Sequence, residues 1–386
     1  MTAGVAGAVA SAMRWILPIA MLAACGGARR ETVPLQLADA VPDDAAGQAA
    51  ACAAGNPRGC EAVAMRSYHA DGVDRDDAVA LAQFARACEL GLHEGCAWQG
   101  VMIMNGEGTP RDPARALPLL RPACNAEIAR ACVAIELLRY QGAAGLTRDV
   151  PGALHALDER CLADDADACG FLAGLWLQDA SLGDDTQALG YARRGCELDG
   201  AYACLILAVV AYDGVGVAAD HDAGLATYAR ACELGAGLAC ATYGASLAEG
   251  HGIGEDVTAA LAPLRRGCAL AEPRACRVLA ATRMRDRDGD HEAFAAASRA
   301  CHLGDQGGCT VLGTCYQGGV GVPADVARAN ALFARACDEG EGESAAGGCY
   351  YLGLNLEAGR GGPADPAEVA ARFARACEQG WSEACR

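Results

Sequence analysis

The cysteines of this chain recur at nearly constant intervals. Of its 22 cysteines, twenty form ten successive pairs, and Cys25 and Cys315 stand outside the pattern. The first cysteines of successive pairs lie 33 to 40 residues apart, and nine of the ten pairs have seven intervening residues. A period of this length indicates a tandem repeat array. The pairs are Cys52 with Cys60, Cys88 with Cys96, Cys124 with Cys132, Cys161 with Cys169, Cys196 with Cys204, Cys232 with Cys240, Cys268 with Cys276, Cys301 with Cys309, Cys337 with Cys349, and Cys377 with Cys385.

The spacing within a pair restricts the backbone between its two cysteines. On one continuous helix their Cα atoms would be about 12 Å apart, whereas a disulfide needs less than about 7 Å. If a pair bonds, the chain must therefore reverse between its cysteines. Turn-forming glycine follows in segments such as Cys88-Glu-Leu-Gly91 and Cys232-Glu-Leu-Gly235. We interpret each pair as a staple across a helix-to-helix turn. Zinc pairs usually have two to four intervening residues, so we predict neither a metal site nor a cofactor.

The stretches between pairs indicate two helices each. From the second cysteine of one pair to the first of the next there are 25 to 29 positions. An apolar run ends in a glycine-rich loop, as at Asn105-Gly-Glu-Gly108. A capping aspartate then opens a second helix, as in Asp112-Pro113, Asp365-Pro366 and Asp149 before Pro151. This pattern predicts nine αα units from Cys60 to Cys377, preceded by a short capping helix before Cys52.

The composition limits both the core and the chemistry. Hydrophobic residues make up 53% of the chain and aromatic residues only 5%. Alanine-rich helices approach closely but bury little area, so the core needs additional stabilisation. The net charge is −18, which argues against nonspecific nucleic-acid binding. All 31 basic residues are arginine. The lack of lysine excludes a P-loop, a Schiff base and a Ser-x-x-Lys site.

The N-terminal segment is typical of a secretory signal. Arg14 precedes an apolar run from Trp15 to Ala24, which is shorter than the roughly 20 residues of a membrane-spanning helix. The run ends in Leu22-Ala-Ala-Cys25, which resembles a bacterial lipobox with Cys25 as the lipidated residue. We therefore expect a lipoprotein signal peptide over 1–24, lipidated Cys25 and a tether over 25–42, and the repeats over 43–386. Alternatives are an ordinary signal peptide or a buried apolar helix, and translation could begin at Met1 or Met13.

The repeat unit resembles a known family. The segments that carry the resemblance are Gly308-Cys-Thr-Val-Leu-Gly-Thr-Cys-Tyr316, Gly319-Val-Gly-Val322 and Tyr228-Ala-Arg-Ala-Cys-Glu-Leu-Gly235. They are similar to Sel-like repeats, which are relatives of the tetratricopeptide repeats, and to their cysteine-rich secreted bacterial branch. The resemblance covers about residues 50–385. It implies a right-handed superhelix of αα hairpins with one disulfide per hairpin and a concave binding face.

No catalytic constellation is evident in the sequence. The seven histidines never fall three or four residues apart, and no serine lies in Gly-x-Ser-x-Gly. The acidic run Asp286, Asp288, Asp290 and Glu292 departs from a calcium loop, because Gly289 is at position four instead of six. We interpret it as a solvated turn. Unpaired Cys315 is interpreted as a buried small hydrophobic residue.

Arginine recurs two positions before the first cysteine in seven of the nine units. An acidic residue often follows that cysteine, at the spacing of an intrahelical ion pair, so a structural role is favoured. The alternative is a candidate binding ridge for an acidic partner or glycan. Its members are Arg86, Arg194, Arg230, Arg266, Arg299, Arg335 and Arg375.

The function predicted from these features is an envelope-anchored scaffold that binds a protein or peptide in the concave groove. We expect a monomer with a lipid anchor as its only membrane contact. Gly26 directly follows the predicted lipidated cysteine, and by resemblance to other lipoproteins a glycine at this position implies the outer membrane. One alternative, implied by the family resemblance alone, is a β-lactam-binding or β-lactamase-like hydrolase. Another is a purely structural envelope spacer.

Overall fold

The computed structural model describes residue 41 and residues 44–71, 73, 75–179, 182, 185–285, 290–360 and 365–385. The predicted signal peptide, Cys25, nearly all of the predicted tether and positions 286–289, which include Asp286 and Asp288, lie outside these residues. The described residues form α-helices and one 3-10 helix without a β-strand, which confirms the predicted all-α class. Among them, no helix has the length and hydropathy that a bilayer crossing requires.

The described helices follow each other with short connections. In chain order they are α1 (Ala45–Ala53), α2 (Pro57–Tyr68), α3 (Asp77–Glu89), α4 (His93–Asn105), α5 (Pro113–Asn125), α6 (Ala129–Gln141), α7 (Val150–Leu162), α8 (Ala166–Gln178), α9 (Asp185–Glu197), α10 (Ala201–Asp213), α11 (His221–Glu233), α12 (Gly237–Glu249), α13 (Val257–Ala269), α14 (Pro273–Arg283), α15 (Asp290–His302), α16 (Gln306–Gly318), α17 (Val326–Glu339), α18 (Glu343–Glu357) and α19 (Pro366–Glu378), followed by the 3-10 turn Ser382–Ala384.

These helices form the predicted repeats. Each even-numbered helix is the first helix of a repeat, the following odd-numbered helix is its second, and α1 is the short helix expected before Cys52. Within a repeat the two helices pack together, and a first helix also packs on the first helix of the next repeat, as α8 does on α10. The chain divides into two compact blocks, one up to Ala236 and one from Gly237.

Aspartates open the second helices as predicted. The Oδ1 atom of Asp112 accepts a hydrogen bond from the backbone N–H of Arg115 at 3.0 Å. Asp149 and Asp365 cap α7 and α19 in the same manner, at 3.0 and 2.9 Å. Such caps satisfy backbone donors that have no partner inside the helix.

The turns after the second helices are closed by disulfides. In nine of the ten pairs, the Cα atoms of the bonded cysteines are 4.4 to 4.9 Å apart. Cys232 and Cys240 are disulfide-bonded as well. In nine of the ten turns the third residue after the first cysteine has left-handed backbone geometry, with φ of +90° at Gly91 and +58° at Ala271. In the longer turn after Cys337 that residue, Gly340, is extended, with φ of −93°. The interpretation of the pairs as staples across a chain reversal is confirmed.

The second cysteine of most pairs is buried in the core. In α6, α8, α14 and α16, Cys132 is 8% exposed, and Cys169, Cys276 and Cys309 are 0% exposed. Cys60, Cys204, Cys240 and Cys349 are 0% exposed as well. These sulfur atoms are shielded from solvent and from any ligand, so the cysteines that the sequence singles out are structural residues. Each of them also fills part of the apolar interior. Among the second cysteines, only Cys96 and Cys385 are more accessible.

Small residues let the helices approach closely, as the composition indicates. In α4, a Cβ atom added to Gly95 would lie 2.7 Å from the Cβ of Ala87 in α3. Larger side chains fill the space between such contacts, and Phe84, Phe171 and Phe333 are fully buried. The core of each block is therefore made of many alanines around a few aromatic rings.

Candidate interaction surface

The arginines of the candidate ridge extend mainly toward the preceding repeat. The guanidinium of Arg194 in α9 donates from Nε to the backbone oxygen of Cys161 at 3.0 Å and from Nη2 to that of Leu162 at 3.0 Å. Its Nη2 also donates to Oδ1 of Asp164 at 2.9 Å. These three acceptors lie at the C-terminal end of α7, where a cation offsets the helix dipole. Arg194 thus caps the second helix of the repeat before its own.

Other members of the ridge repeat this contact. Arg230 donates to Oδ1 of Asp199 at 2.9 Å. Arg299 donates from Nε to the backbone oxygen of Cys268 at 3.0 Å. Arg375 donates to the backbone oxygen of Asp338 at 3.3 Å, and its Nη1 lies 3.8 Å from Oδ1 of that residue. Each acceptor lies in the last turn of the preceding second helix or directly after it, and Arg266 occupies the same register.

The prediction that each ridge arginine pairs with an acidic residue of its own helix is therefore wrong as a general rule. It is present at Arg86, whose Nη1 lies 3.3 Å from Oε2 of Glu89. Arg335 pairs four residues ahead, with Glu339 at 3.2 Å, and its Nη1 is also 3.7 Å from the Sγ of Cys301 at the end of α15. The period of the repeat places an acceptor from the previous turn within reach of most of these arginines, and that acceptor competes with the local carboxylate.

Arg194→Ala should lower the free energy of unfolding by about 1 kcal/mol, because three partly exposed hydrogen bonds between repeats are lost. Arg194→Lys should recover little of this, since an ammonium group cannot reproduce the forked geometry. Urea denaturation followed by circular dichroism measures both variants. Arg86→Ala is the matched control and should change stability by less than about 0.5 kcal/mol, because its exposed pair lies within one helix. Equal losses at the two positions would contradict the capping role.

A second polar feature lies on the first helices of the N-terminal block. The guanidinium carbon of Arg130 in α6 lies 3.7 Å from the ring centroid of Trp98 in α4. The Nη2 atom of Arg130 is 3.7 Å from Oδ2 of Asp167 in α8. One side chain thus connects the first helices of three successive repeats. This contact was not predicted from the sequence, although Arg130 and Asp167 share the register two residues before the second cysteine.

The first helices pack tightly beside this contact. A Cβ atom added to Gly174 in α8 would lie 2.6 Å from the hydroxyl oxygen of Tyr202 in α10. Tyr202 itself is 5% exposed, and its ring centroid is 5.5 Å from that of Phe171. We define the first-helix ridge as Trp98, Arg130, Asp167 and Tyr202. It is a row of aromatic and charge-compensated side chains, one per repeat, in which Trp98 and Tyr202 are each 5% exposed.

A buried carboxylate lies in the loop between α4 and α5. Glu107 accepts hydrogen bonds from the Tyr68 hydroxyl at 3.1 Å and from Nδ2 of Asn105 at 3.2 Å. Its Oε2 is 3.8 Å from Nη2 of Arg75, which also pairs with Asp77 at 2.6 Å. The Glu107 side chain is only 10% exposed. Burial raises the pKa of Glu107, and the nearby Arg75 opposes that rise.

Glu107→Gln should become more stable relative to the native protein as the pH rises from 4 to 8. A carboxyl group whose pKa is raised by folding contributes stability below its unfolded pKa, and that contribution is lost as the pH rises through the folded value. The amide carries no charge to bury and so avoids this loss. Melting temperatures of both proteins across this range test the prediction. A difference that does not vary with pH would contradict it, and Glu94→Gln serves as a control on a first-helix glutamate outside the cluster.

The unpaired cysteine is buried, as interpreted from the sequence. Cys315 is a free thiol with 0% exposure, and its Sγ lies 4.0 Å from the Sδ of Met284. Burial, and then Asp290, raise the pKa of the Cys315 thiol to about 11. The thiol is therefore protonated at neutral pH and behaves as a small core side chain.

The histidines have separate surroundings. His69 lies edge-on to Trp98 with ring centroids 6.1 Å apart, and His155 is 3.6 Å from Glu159 on one exposed helix face. His221 lies edge-on to Tyr212 at 4.7 Å. Within the described ranges, no group of three or more His, Cys, Asp or Glu side chains has the arrangement of a metal site.

The stapled αα hairpins define a helical-repeat protein. Five stretches of the chain match the model of the Sel1 repeat, at residues 57–92, 94–127, 201–235, 308–341 and 346–381. The chain carries Sel1 repeats over these five stretches. The first stretch comprises α2 and α3, so the disulfide between Cys88 and Cys96 joins one matched repeat to the next.

The fold is shared by a solved structure. A protective antigen of uropathogenic Escherichia coli strains with an SLR fold is 18% identical, with a TM-score of 0.59, and the alignment covers 98% of this chain and 78% of that one. A Sel1 repeat protein from Oxalobacter formigenes is 17% identical, with a lower TM-score of 0.43, and 93% and 94% of the two chains are covered. A search of curated proteins returned no match.

Proposed function

We propose that this protein is a protein-binding scaffold anchored in the bacterial cell envelope. Sel1 repeat proteins generally bind protein partners, and the five matched repeats support that role for this chain. The observation that carries the proposal is the covalent stapling of consecutive repeats, which holds rows of side chains at fixed intervals. A rigid row loses little conformational freedom when a partner binds.

The envelope location is supported by the cysteine chemistry. Disulfides persist in oxidising compartments outside the cytosol. The lipobox-like segment at Leu22–Cys25 supports export followed by attachment through a lipid on Cys25. Gly26 beside that cysteine favours the outer membrane, and the tether over 25–42 would separate the repeats from the bilayer.

The surface proposed for the partner consists of the more accessible arginines of the ridge together with the concave face that the family resemblance implies. The side chains of Arg86, Arg230 and Arg335 are 53%, 45% and 44% exposed. Each can exchange its present carboxylate for an acidic group of a partner at modest cost, because exposed ion pairs contribute little to stability. This supports an acidic protein or peptide ligand.

The test is crosslinking in intact envelopes, followed by affinity measurement with the crosslinked partner after purification. The triple variant Arg86→Ala, Arg230→Ala, Arg335→Ala should bind that partner at least about tenfold more weakly and more independently of salt. The matched control replaces three exposed arginines outside the ridge, Arg58, Arg115 and Arg328. Unchanged binding by the ridge variant would refute the ridge, and β-lactam turnover by the oxidised protein without any partner would refute the scaffold.

A further inference from the structure

The C-terminal block carries an apolar cleft along α19. The cleft has a volume of about 740 Å³. One side of α19 forms its floor, and Ala384 of the final 3-10 turn also lines it. Ala370 and Ala374 in the floor are exposed. The apolar residues that line the floor are Pro366, Val369, Ala370, Phe373, Ala374 and Cys377.

The corresponding face of α17 is buried. Phe333 and Cys337 of α17 stand forty positions before Phe373 and Cys377 of α19. Both residues of α17 are 0% exposed, whereas Phe373 is 8% exposed and Cys377 is half-buried. The same kind of helix face is thus covered on α17 and accessible on α19.

The side chains that cover this face of α17 show which residues are complementary to it. Leu352 and Leu356 of α18 pack in one apolar cluster with Ala329 and Phe333 of α17. The two leucines are four residues apart and therefore lie on the same side of their helix. A helix that presents leucines at positions i and i+4 is complementary to this type of face.

The rim of the cleft adds a charge requirement. Glu357, Glu378 and Cys385 complete its lining, and all three are exposed. The arginines of α19 are directed to Asp338, which lies 2.6 Å from Arg372 and 3.8 Å from Arg375. An acidic rim around an apolar floor favours a partner with basic residues beside its apolar stripe.

We propose that the cleft on α19 docks an amphipathic helix of another protein, with leucines at positions i and i+4 and basic residues at its flanks. This site is separate from the arginine ridge and the first-helix ridge, and it does not depend on the ligand proposed for them.

The probe is a fluorescein-labelled peptide of residues 346–360 that carries Cys349→Ser and Glu357→Arg. It contains both leucines of α18 and a basic end. Fluorescence anisotropy with the full, oxidised chain should show saturable binding that weakens as salt is raised. The peptide with Leu352→Ser and Leu356→Ser should bind at least about tenfold more weakly, because both apolar anchors are removed.

Two variants of neighbouring alanines test the location. Ala370→Arg places a bulky cation in the floor and should weaken peptide binding at least about tenfold. Ala371→Arg adds the same charge at the adjacent exposed position outside the lining and should leave binding unchanged. Equal effects of the two variants, or no saturable binding by the native chain, would overturn the proposal. Self-association of the native chain that Ala370→Arg abolishes would assign the cleft to a second copy and would overturn it as well.

Discussion

Reduction of the disulfides should unfold the repeat array at temperatures where the oxidised protein remains helical. Each nine-residue loop contributes about 2.6 kcal/mol in the chain-entropy model. Small domains have net stabilities of about 5 to 15 kcal/mol, so the summed contribution of the staples is comparable with or larger than the whole. The alanine-rich core offers few large side chains to replace it. Thermal melts followed by circular dichroism, with and without a phosphine reductant, measure the effect.

Removal of one staple separates this effect from global changes. The double variant Cys196→Ala, Cys204→Ala should lower the free energy of unfolding by about 2 to 4 kcal/mol. Hydrogen exchange should increase in α9 and α10, which the disulfide joins. Cys315→Ala removes a buried thiol without touching a staple, and its sensitivity to reductant should equal that of the native protein. A reduced protein that melts within a few degrees of the oxidised one would contradict the dependence on the disulfides.

Phe84→Ala should have the largest effect of any single aromatic truncation in the first repeats. Phe84 is 0% exposed, and its ring stacks on Trp98 with centroids 5.2 Å apart and an interplanar angle of 7°. Truncation of a fully buried phenylalanine costs about 3 to 5 kcal/mol. The indole of Trp98 would lose its support on one face, so the stacking of Arg130 on that indole should weaken too. Equilibrium denaturation and hydrogen exchange of α2 to α6 measure these changes.

The matched control for Phe84 is Phe294→Ala in the C-terminal block. Phe294 is half-buried, and its ring meets Tyr316 edge-on with centroids 5.5 Å apart. Its truncation should cost less, because part of the ring is already in contact with solvent. Because repeat arrays are coupled mainly between neighbours, the Phe84 variant should exchange faster near α3 and α4, with little change from α14 onward. A uniform increase along the chain would contradict this local coupling.

The cysteine pattern and the capping aspartates predict most of the fold. The two cysteines of a pair, and an aspartate and the helix that it caps, are only a few residues apart, so their effect can be read from local sequence. The spacing within each pair excludes a continuous helix, and residues such as Asp112 and Asp149 mark where second helices begin. Local sequence does not predict the left-handed conformation of Ala271, which alanine disfavours. Glycine stands at this position in other turns. The closed disulfide loop imposes the same backbone path on alanine and on glycine.

The partners of the arginines could not be predicted from one helix. The sequence allows Arg194 two partners, namely Glu197, three residues ahead in its own helix, and the turn after α7. The choice between them depends on how α9 packs on α7, which is a tertiary property. Glu107 illustrates the same limit, because its glycine-flanked position predicts a loop but not the direction of the side chain toward Tyr68 and Arg75. The accessibility of the α19 cleft likewise depends on which helix faces are covered.

The staples between consecutive repeats also determine how the chain would respond to mechanical force. A disulfide such as Cys88–Cys96 closes eight peptide steps, so tension passes through its sulfur atoms and bypasses the turn. At about 3.5 Å per residue, a staple of this separation withholds about 28 Å of contour length from extension. In an oxidised chain held by one end, repeats could unravel between staples while the turns keep their geometry. Such a chain has a limited maximum length, and its helices re-form between the retained turns when the load is released.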